Sequence, residues 1–177
     1  INLVTDIFPG LALAQEPAED GVLERRPRRP DQPIVSDEDL PVMLRESAIM
    51  TGGTLAAYVY GLLRYGSGPR ASTLALSTLI GGQMAHALAC RSEEVGIHEL
   101  QRLAPNRPLD LALGGTLAVQ ALSTLLPPLQ RLLGTTRLGL LDLGVSAVAS
   151  TVPALVNDRL KTTARDGEPP AEKEAGQ

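Results

Sequence analysis

Three long stretches of the chain, residues 47–63, 71–90 and 111–130, contain no charged residue. A fourth stretch, 138–157, contains a single charge, that of Asp142. Each stretch has the length, about 17–25 residues, with which an α-helix crosses the hydrocarbon core of a bilayer. A soluble helix has no need of a surface that is uncharged on every side. The pattern therefore predicts an all-α fold, a polytopic membrane helix bundle.

Short turns and polar segments separate the predicted helices. The Gly-Ser-Gly-Pro turn at 66–69 is short enough to make its two flanking helices an antiparallel hairpin. Pro127 and Pro128 are expected to end the third span near the membrane interface. The segment 36–39 is expected to cap a short helix that leads into the first span. These boundaries divide the chain into a partial transmembrane helix (1–14), a cytoplasmic loop (15–46), a region of four transmembrane helices (47–157) and a charged tail expected to be disordered (158–177).

Basic residues are distributed unequally between the two sides of this arrangement. Twelve of the 16 Lys and Arg residues lie in the loop 15–46, the loop 91–107 and the tail, and four lie in the two short turns. Loops rich in Lys and Arg remain in the cytoplasm. The chain is therefore expected to be an integral, multi-pass membrane protein with a cytoplasmic C-terminus.

Asp6 is the one charged residue of the apolar stretch 1–14. Asn2 and Thr5 precede it at helical spacing, so the oxygens of all three side chains share a helix face. Pro9 has no N–H to give to the carbonyl of Thr5. Hard cations such as Ca²⁺ bind about 6–8 oxygens of these kinds. An ionised carboxylate at the bilayer centre costs about 2.5–3.5 kcal/mol, so Asp6 either binds a cation or pairs with a basic residue of another helix.

The same part of the chain resembles a known protein family. Asn-Leu-Val-Thr-Asp at 2–6, Pro9, Leu-Ala-Leu at 11–13, Glu-Pro at 16–17 and Arg-Arg-Pro-Arg at 25–28 resemble the sixth transmembrane helix and following loop of P-type cation-transporting ATPases, most closely the calcium pumps. The resemblance implies a C-terminal membrane part of an ATP-driven cation pump, with part of the sixth helix and the seventh to tenth helices.

The resemblance also implies roles for individual residues. Asn2 and Asp6 would be metal ligands, and Thr5 would contribute a hydroxyl or carbonyl oxygen. Gln83 stands where calcium pumps with two ion sites have a glutamate, which suggests one ion per cycle. Gln83 is kept as a metal candidate, beside the alternative that it forms an interhelical hydrogen bond. The transported cation would be Ca²⁺, with Mn²⁺ and Mg²⁺ left open.

Other polar residues in the predicted spans have simpler interpretations. His86 shares a face with Gln83 and is interpreted as a packing or hydrogen-bonding residue. Asp142 is expected to pair with Arg131 or Arg137, the alternative being an ion ligand or proton carrier. The chain's three tyrosines, all in the first span or just after it, are interpreted as interfacial anchors.

Composition limits the remaining functions. A net charge of −4 gives no indication of nucleic-acid binding, and a single cysteine allows no disulfide within the chain.

The sequence has no Asp-Lys-Thr-Gly phosphorylation motif and no Gly-rich phosphate loop. By itself the chain is therefore expected neither to hydrolyse ATP nor to transport. Because it starts with Ile inside an apolar run that does not read as a signal peptide, we expect a fragment, cut inside a helix. Its expected partners are the lipid bilayer and the remaining domains of the pump, which would bind ATP and Mg²⁺. The alternatives are a non-enzymatic membrane scaffold or regulatory subunit with a pump-like helix set, and a soluble helical bundle.

Overall fold

The computed structural model describes residues 2–18, 33, 35–37, 39–92 and 95–166, without the side chains of 2–6, 98 and 162–166. The described residues form helices and no strand, which confirms the all-α prediction for this part of the chain. Within the described ranges, six α-helices and one 3₁₀ helix follow one another as α1 (Asn2–Leu13), α2 (Asp39–Tyr65), α3 (Pro69–Ala89), the 3₁₀ helix (Ile97–Arg102), α4 (Arg107–Leu125), α5 (Pro127–Leu133) and α6 (Leu140–Asp166).

Helices α2 and α3 form the predicted antiparallel hairpin. Gly66 adopts a φ of 73° after the last turn of α2, a conformation that glycine adopts without a steric penalty. Pro69 occupies the first turn of α3, where its missing N–H costs nothing. Gly61 lies so close to Ala71 that a methyl group added to it would be 2.8 Å from the Ala71 Cα atom. The turn and the small residues thus bring the two helix backbones into close contact.

Helix α6 packs against both members of this hairpin, again through small and hydroxyl side chains. Gly53 of α2 faces Ala149 and Pro153 of α6. The Thr78 hydroxyl of α3 donates to Ser146 Oγ of α6 at 3.2 Å. Such side chains let helices approach closely and satisfy their polar groups inside the bundle.

Helices α1 and α4 pack on α3 to complete the bundle. Their shared core is apolar, and consists of Ala12, Ile80, Met84, Ala87, Leu109 and Leu113. A polar contact supplements it, because Gln120 Nε2 of α4 donates to Ser77 Oγ of α3 at 2.8 Å. Helix α3 is therefore the central element and contacts α1, α2, α4 and α6.

Several hydroxyl side chains are buried beside the apolar core, and many large apolar side chains are exposed on the surface of the bundle. Completely or almost completely buried positions include Thr73, Thr78 and Ser123. In contrast, Leu63 is 85% exposed and Leu111 is 77% exposed. The apolar surface of the bundle thus faces outward and hydroxyl groups face inward.

Several helix boundaries differ from the predicted spans. Among the described helices, α6 is long and apolar enough to cross a membrane over Leu140–Lys161, and α4 with α5 meets the same criteria as a pair bent by 94°. Helix α4 ends at Leu125, just before Pro127 and Pro128 as predicted, but Pro127 starts a further helix in a different direction. Four separate spans therefore remain a prediction.

The polar ends of α2 and α6 are also more helical than predicted. Ser36 donates its N–H and its hydroxyl to Asp39 Oδ2, both at 2.7 Å, and α2 runs from Asp39 without interruption into the predicted span. The predicted disordered tail began at 158, but α6 continues to Asp166. Asp158 and Lys161 hold this extension, since Asp158 accepts the N–H of Ile97 at 3.1 Å and Lys161 donates to the carbonyl oxygens of Ala89 and Ser92. Residues 167–177 lie outside the described part of the chain.

Candidate functional site

Helix α1 places the candidate ligands Asn2, Thr5 and Asp6 on consecutive turns of one helix, as their spacing predicts. Pro9 lies inside this helix, and its side chain is buried. The side chains of Asn2, Thr5 and Asp6 lie outside the described residues. Their assignment as metal ligands therefore stays a prediction from the sequence.

The C-terminal end of α1 is joined to the start of α4 by one buried side chain, that of Asn106. Its Nδ2 donates to the Ala12 carbonyl at 3.1 Å and to Glu16 Oε2 at 2.6 Å. Its Oδ1 accepts the backbone N–H of Leu109 at 2.9 Å, which makes Asn106 the N-cap of α4. The same residue thus satisfies polar groups at two helix ends.

An ion pair between Glu16 and Arg91 lies beside this asparagine. Arg91 donates from Nε and Nη2 to Glu16 Oε1, at 3.0 and 2.7 Å, and also from Nη2 to the Ala104 carbonyl at 2.7 Å. The side chains are 8% exposed for Arg91 and 16% for Glu16. Burial by itself raises the pKa of Glu16, but the hydrogen bonds from Arg91 and Asn106 and the charge of Arg91 outweigh it and hold that pKa below its ordinary value.

The sequence indicated little of this arrangement. An asparagine two residues before a proline is a readable N-cap signal for α4. Glu16 belongs to the Glu-Pro motif, and Arg91 is one of the basic residues of the loop 91–107. Nothing in the spacing of Glu16 and Arg91, 75 residues apart, pairs them.

Gln83 lines a cavity of about 340 Å³ between α2 and α3. Its Oε1 and the Nδ1 of His86 are buried and have no hydrogen-bond partner among the described residues. A buried acceptor in this condition requires a ligand or a water molecule to satisfy it. The cavity lining consists of Met43, Glu46, Ser47, Met50, Thr51, Leu79, Gln83 and His86, and includes no residue of α1. Ligation of a cation by Gln83 therefore stays a prediction.

Asp142 is a buried structural carboxylate, but its predicted partners were wrong. It is 1% exposed in the first turn of α6, where it accepts from Tyr65 Oη at 2.6 Å, from Arg70 Nη2 at 3.1 Å and from the N–H of Gly139 at 3.0 Å. Arg137 instead donates to the Leu125 carbonyl. The physical reason is that the α2–α3 turn packs against the start of α6 and brings Tyr65 and Arg70 to the carboxylate.

The tyrosines accordingly have different surroundings. Tyr65 is bonded to Asp142, and the guanidinium of Arg70 lies 4.1 Å from the centre of its ring. The Tyr60 hydroxyl is buried without a hydrogen-bond partner among the described residues. The interpretation of the tyrosines as interfacial anchors therefore did not include the hydrogen bond by which Tyr65 holds the Asp142 carboxylate. No three His, Cys, Asp or Glu side chains converge into a metal cluster within the described ranges.

Comparison with known proteins places these features in context. Residues 1–163 match the protein family described as "Cation transporting ATPase, C-terminus". The chain is 30% identical over 142 residues to "Calcium-transporting ATPase 1" of Schizosaccharomyces pombe, which covers 80% of this chain and 16% of that protein. It is 28% identical over 176 residues to "Calcium-transporting ATPase type 2C member 1" of Mus musculus, with 99% and 19% covered. It is 31% identical over 154 residues to "Calcium-transporting ATPase type 2C member 2" of Homo sapiens, with 86% and 16% covered. The chain thus spans less than a fifth of the length of these relatives.

Proposed function

The chain belongs to the family of cation-transporting ATPase C-terminal regions, and from this premise we propose that it is the C-terminal membrane part of an ATP-driven Ca²⁺ pump. The observation that carries the proposal is the Asn-Leu-Val-Thr-Asp segment at 2–6 on a helix that contains Pro9. The relatives named as calcium-transporting support Ca²⁺ as the cation, with Mn²⁺ and Mg²⁺ as the competing oxygen-binding ions.

In this proposal the chain contributes oxygen ligands and the helices that support them. Asn2, Thr5 and Asp6 offer an amide, a hydroxyl and a carboxylate, and Pro9 leaves the Thr5 carbonyl free of its usual donor. Ca²⁺ requires about 6–8 oxygens, so helices elsewhere in the polypeptide complete its shell. Phosphorylation of an aspartate in those other domains, with ATP and Mg²⁺ bound there, drives alternating exposure of the site. The chain itself carries out no covalent step.

We further propose that α2, α3, the α4–α5 pair and α6 cross the bilayer, with the C-terminus in the cytoplasm. The outward-facing leucines and inward-facing hydroxyls support this, because exposed apolar surface is unfavourable in water and neutral in lipid. The length of α6 supports this arrangement as well. Basic residues are in excess at the end of the bundle where α1, α3 and α6 terminate, which supports a cytoplasmic location for that end.

The decisive experiment replaces the carboxylate in the complete polypeptide. Asp6→Asn is expected to abolish Ca²⁺-stimulated phosphorylation from ATP, because the amide carries no charge to offset that of the cation. Asp110→Asn, at an exposed position in the first turn of α4, is the matched control and is expected to leave the reaction unchanged. Unaltered Ca²⁺ dependence in the Asp6 variant would remove the ligand assignment.

Gln83→Ala addresses the second candidate ligand in the same assay. If Gln83 binds the cation, this variant needs a higher Ca²⁺ concentration for half-maximal phosphorylation. A polypeptide without any cation-stimulated phosphorylation would instead favour the alternative of a scaffold or regulatory subunit.

A further inference from the structure

We propose that Glu16, Arg91 and Asn106 are positioning residues for cation binding, which hold the end of α1 and thereby set the affinity of the ligands at its other end. This inference rests on the proposed function, and it assigns to the three residues a role that the resemblance did not include. We call the three residues the α1 clamp.

The described side chains of α1, those of residues 7–13, place few other constraints on the position of the helix. The side chains of Ile7, Phe8 and Leu11 are exposed, and the packing of α1 on α3 and α4 depends on one face that includes Pro9 and Ala12. Apolar packing of this kind is non-directional and permits sliding or rotation of a short helix. Directional contacts at the end of α1 therefore determine its position along the helix axis and its rotation about that axis.

The clamp supplies such directional contacts from two separate parts of the chain. Arg91 directly follows the last turn of α3 and reaches both Glu16 and the Ala104 carbonyl, so its planar guanidinium is fixed on two sides. Asn106 comes from the start of α4 and contacts Glu16 and the Ala12 carbonyl. Both carboxylate oxygens of Glu16 are thus bonded, each to a different neighbouring helix end.

The distance to the candidate ligands makes this anchoring relevant to binding. Ala12 follows Asp6 by six positions, which corresponds to about 9 Å along a helix. Pro9 lies between them and removes one helical hydrogen bond, but α1 continues through it as one helix from Asn2 to Leu13, so a displacement of the clamped end also moves the ligand-bearing turns. Ca²⁺–oxygen distances fall within about 2.3–2.6 Å, and a small displacement of α1 weakens the site without removing any ligand.

Two variants separate the clamp from general stability. Glu16→Gln removes the ion pair with Arg91 but retains a side chain of the same shape. Asn106→Asp retains the oxygen that caps α4, since aspartate is as good an N-cap as asparagine. It replaces the Nδ2 donor with a second oxygen, which repels Glu16 and the Ala12 carbonyl. The control is Glu99→Gln, which breaks the more exposed ion pair of Glu99 with Arg102 in the same loop.

The experiment measures Ca²⁺ dependence in the complete pump. We expect Glu16→Gln and Asn106→Asp each to raise the half-saturating Ca²⁺ concentration for phosphorylation from ATP about fivefold or more, with the maximal phosphoenzyme level at saturating Ca²⁺ retained. Equilibrium binding of radioactive Ca²⁺ without ATP is expected to shift by the same factor. Glu99→Gln is expected to leave both values unchanged.

If the clamp residues had only a structural role, their substitution would lower the amount of active pump and leave the half-saturating Ca²⁺ concentration unchanged. That result in both variants would overturn the inference. Half-saturation does not depend on how much folded pump is present, so reduced expression leaves the test intact. If the unmodified polypeptide forms no Ca²⁺-dependent phosphoenzyme, the proposed function itself fails. If the unmodified protein responds to Ca²⁺ and the variants respond identically, the clamp inference alone fails.

Discussion

Substitution of Gly53 by alanine tests the close approach of α2 and α6. A methyl group added at Gly53 would lie 2.6 Å from Pro153 Cγ and closer still to the carbonyl oxygen of Ala149. Ordinary contacts begin at about 3.4 Å, so α2 and α6 must separate by at least about 0.8 Å. That separation also lengthens the hydrogen bond from Asn157 Nδ2 to the Glu46 carbonyl, now 3.2 Å.

The neighbouring glycine provides the reference from which a magnitude follows. A methyl group added at Gly52 would meet no atom within 4 Å. Both substitutions gain the same helix preference of alanine over glycine, about 0.5–1 kcal/mol. Their difference therefore isolates the steric term, and overpacking costs about 1–3 kcal/mol. We expect Gly53→Ala to be less stable than Gly52→Ala by that amount.

The assay is unfolding of the chain in mild detergent micelles by increasing fractions of SDS, followed by circular dichroism. The Gly53→Ala midpoint is expected at a lower SDS fraction than the Gly52→Ala midpoint. Gly53→Leu extends the series, since a larger side chain increases the overlap with α6. Equal midpoints for the two alanine variants would refute the close approach of α2 and α6.

Two further predictions concern the polar contacts. Tyr65→Phe removes the hydroxyl that donates to Asp142 and is expected to lower the stability of the bundle by about 1.5–3 kcal/mol in the same SDS assay. Arg137→Gln leaves the partners of that carboxylate intact, so its SDS midpoint is expected to equal that of the wild-type chain. The opposite ranking of the two variants would support Arg137 as the partner of Asp142. The pKa of Glu16 is lower in the folded state than the ordinary value of 4.5, so between these two pKa values the unfolded state binds more protons and stability rises with pH. The wild-type chain is therefore expected to be more stable than Glu16→Gln by the full amount above pH 4.5, and this difference in stability is expected to disappear as the pH falls through the folded pKa. A difference in SDS midpoint that does not vary with pH would contradict the ion pair.

The resemblance carried by residues 2–28 is confirmed by the family match, and the uncharged stretches correctly predicted helices in all four places. The hairpin turn at 66–69 followed from its glycines and proline. The direction of the chain after Pro127 could not be predicted from the sequence. A proline indicates where a helix ends but carries no information on the 94° angle to the next helix.

The partners of the buried polar groups were the main failure of prediction. Asp142 was correctly interpreted as a structural carboxylate, yet its cation partner lies 72 residues earlier, at Arg70. Glu16 and Asn106 are separated by 90 residues and meet at the end of α1. Sequence spacing relates residues on one helix, but contacts between helices depend on how each helix is rotated in the bundle.

The sequence by itself determined that this chain is helical, that its charges lie outside the apolar stretches, and that Asn2, Thr5 and Asp6 share one helix face. These properties depend on the helical period and on local turn chemistry, both of which act within a few residues. The tertiary structure alone decided which helix ends meet, because the apolar faces of the helices are similar all round and do not specify their neighbours. Small residues such as Gly53 and directional contacts such as those of Asn106 select one arrangement from the many that apolar packing would allow.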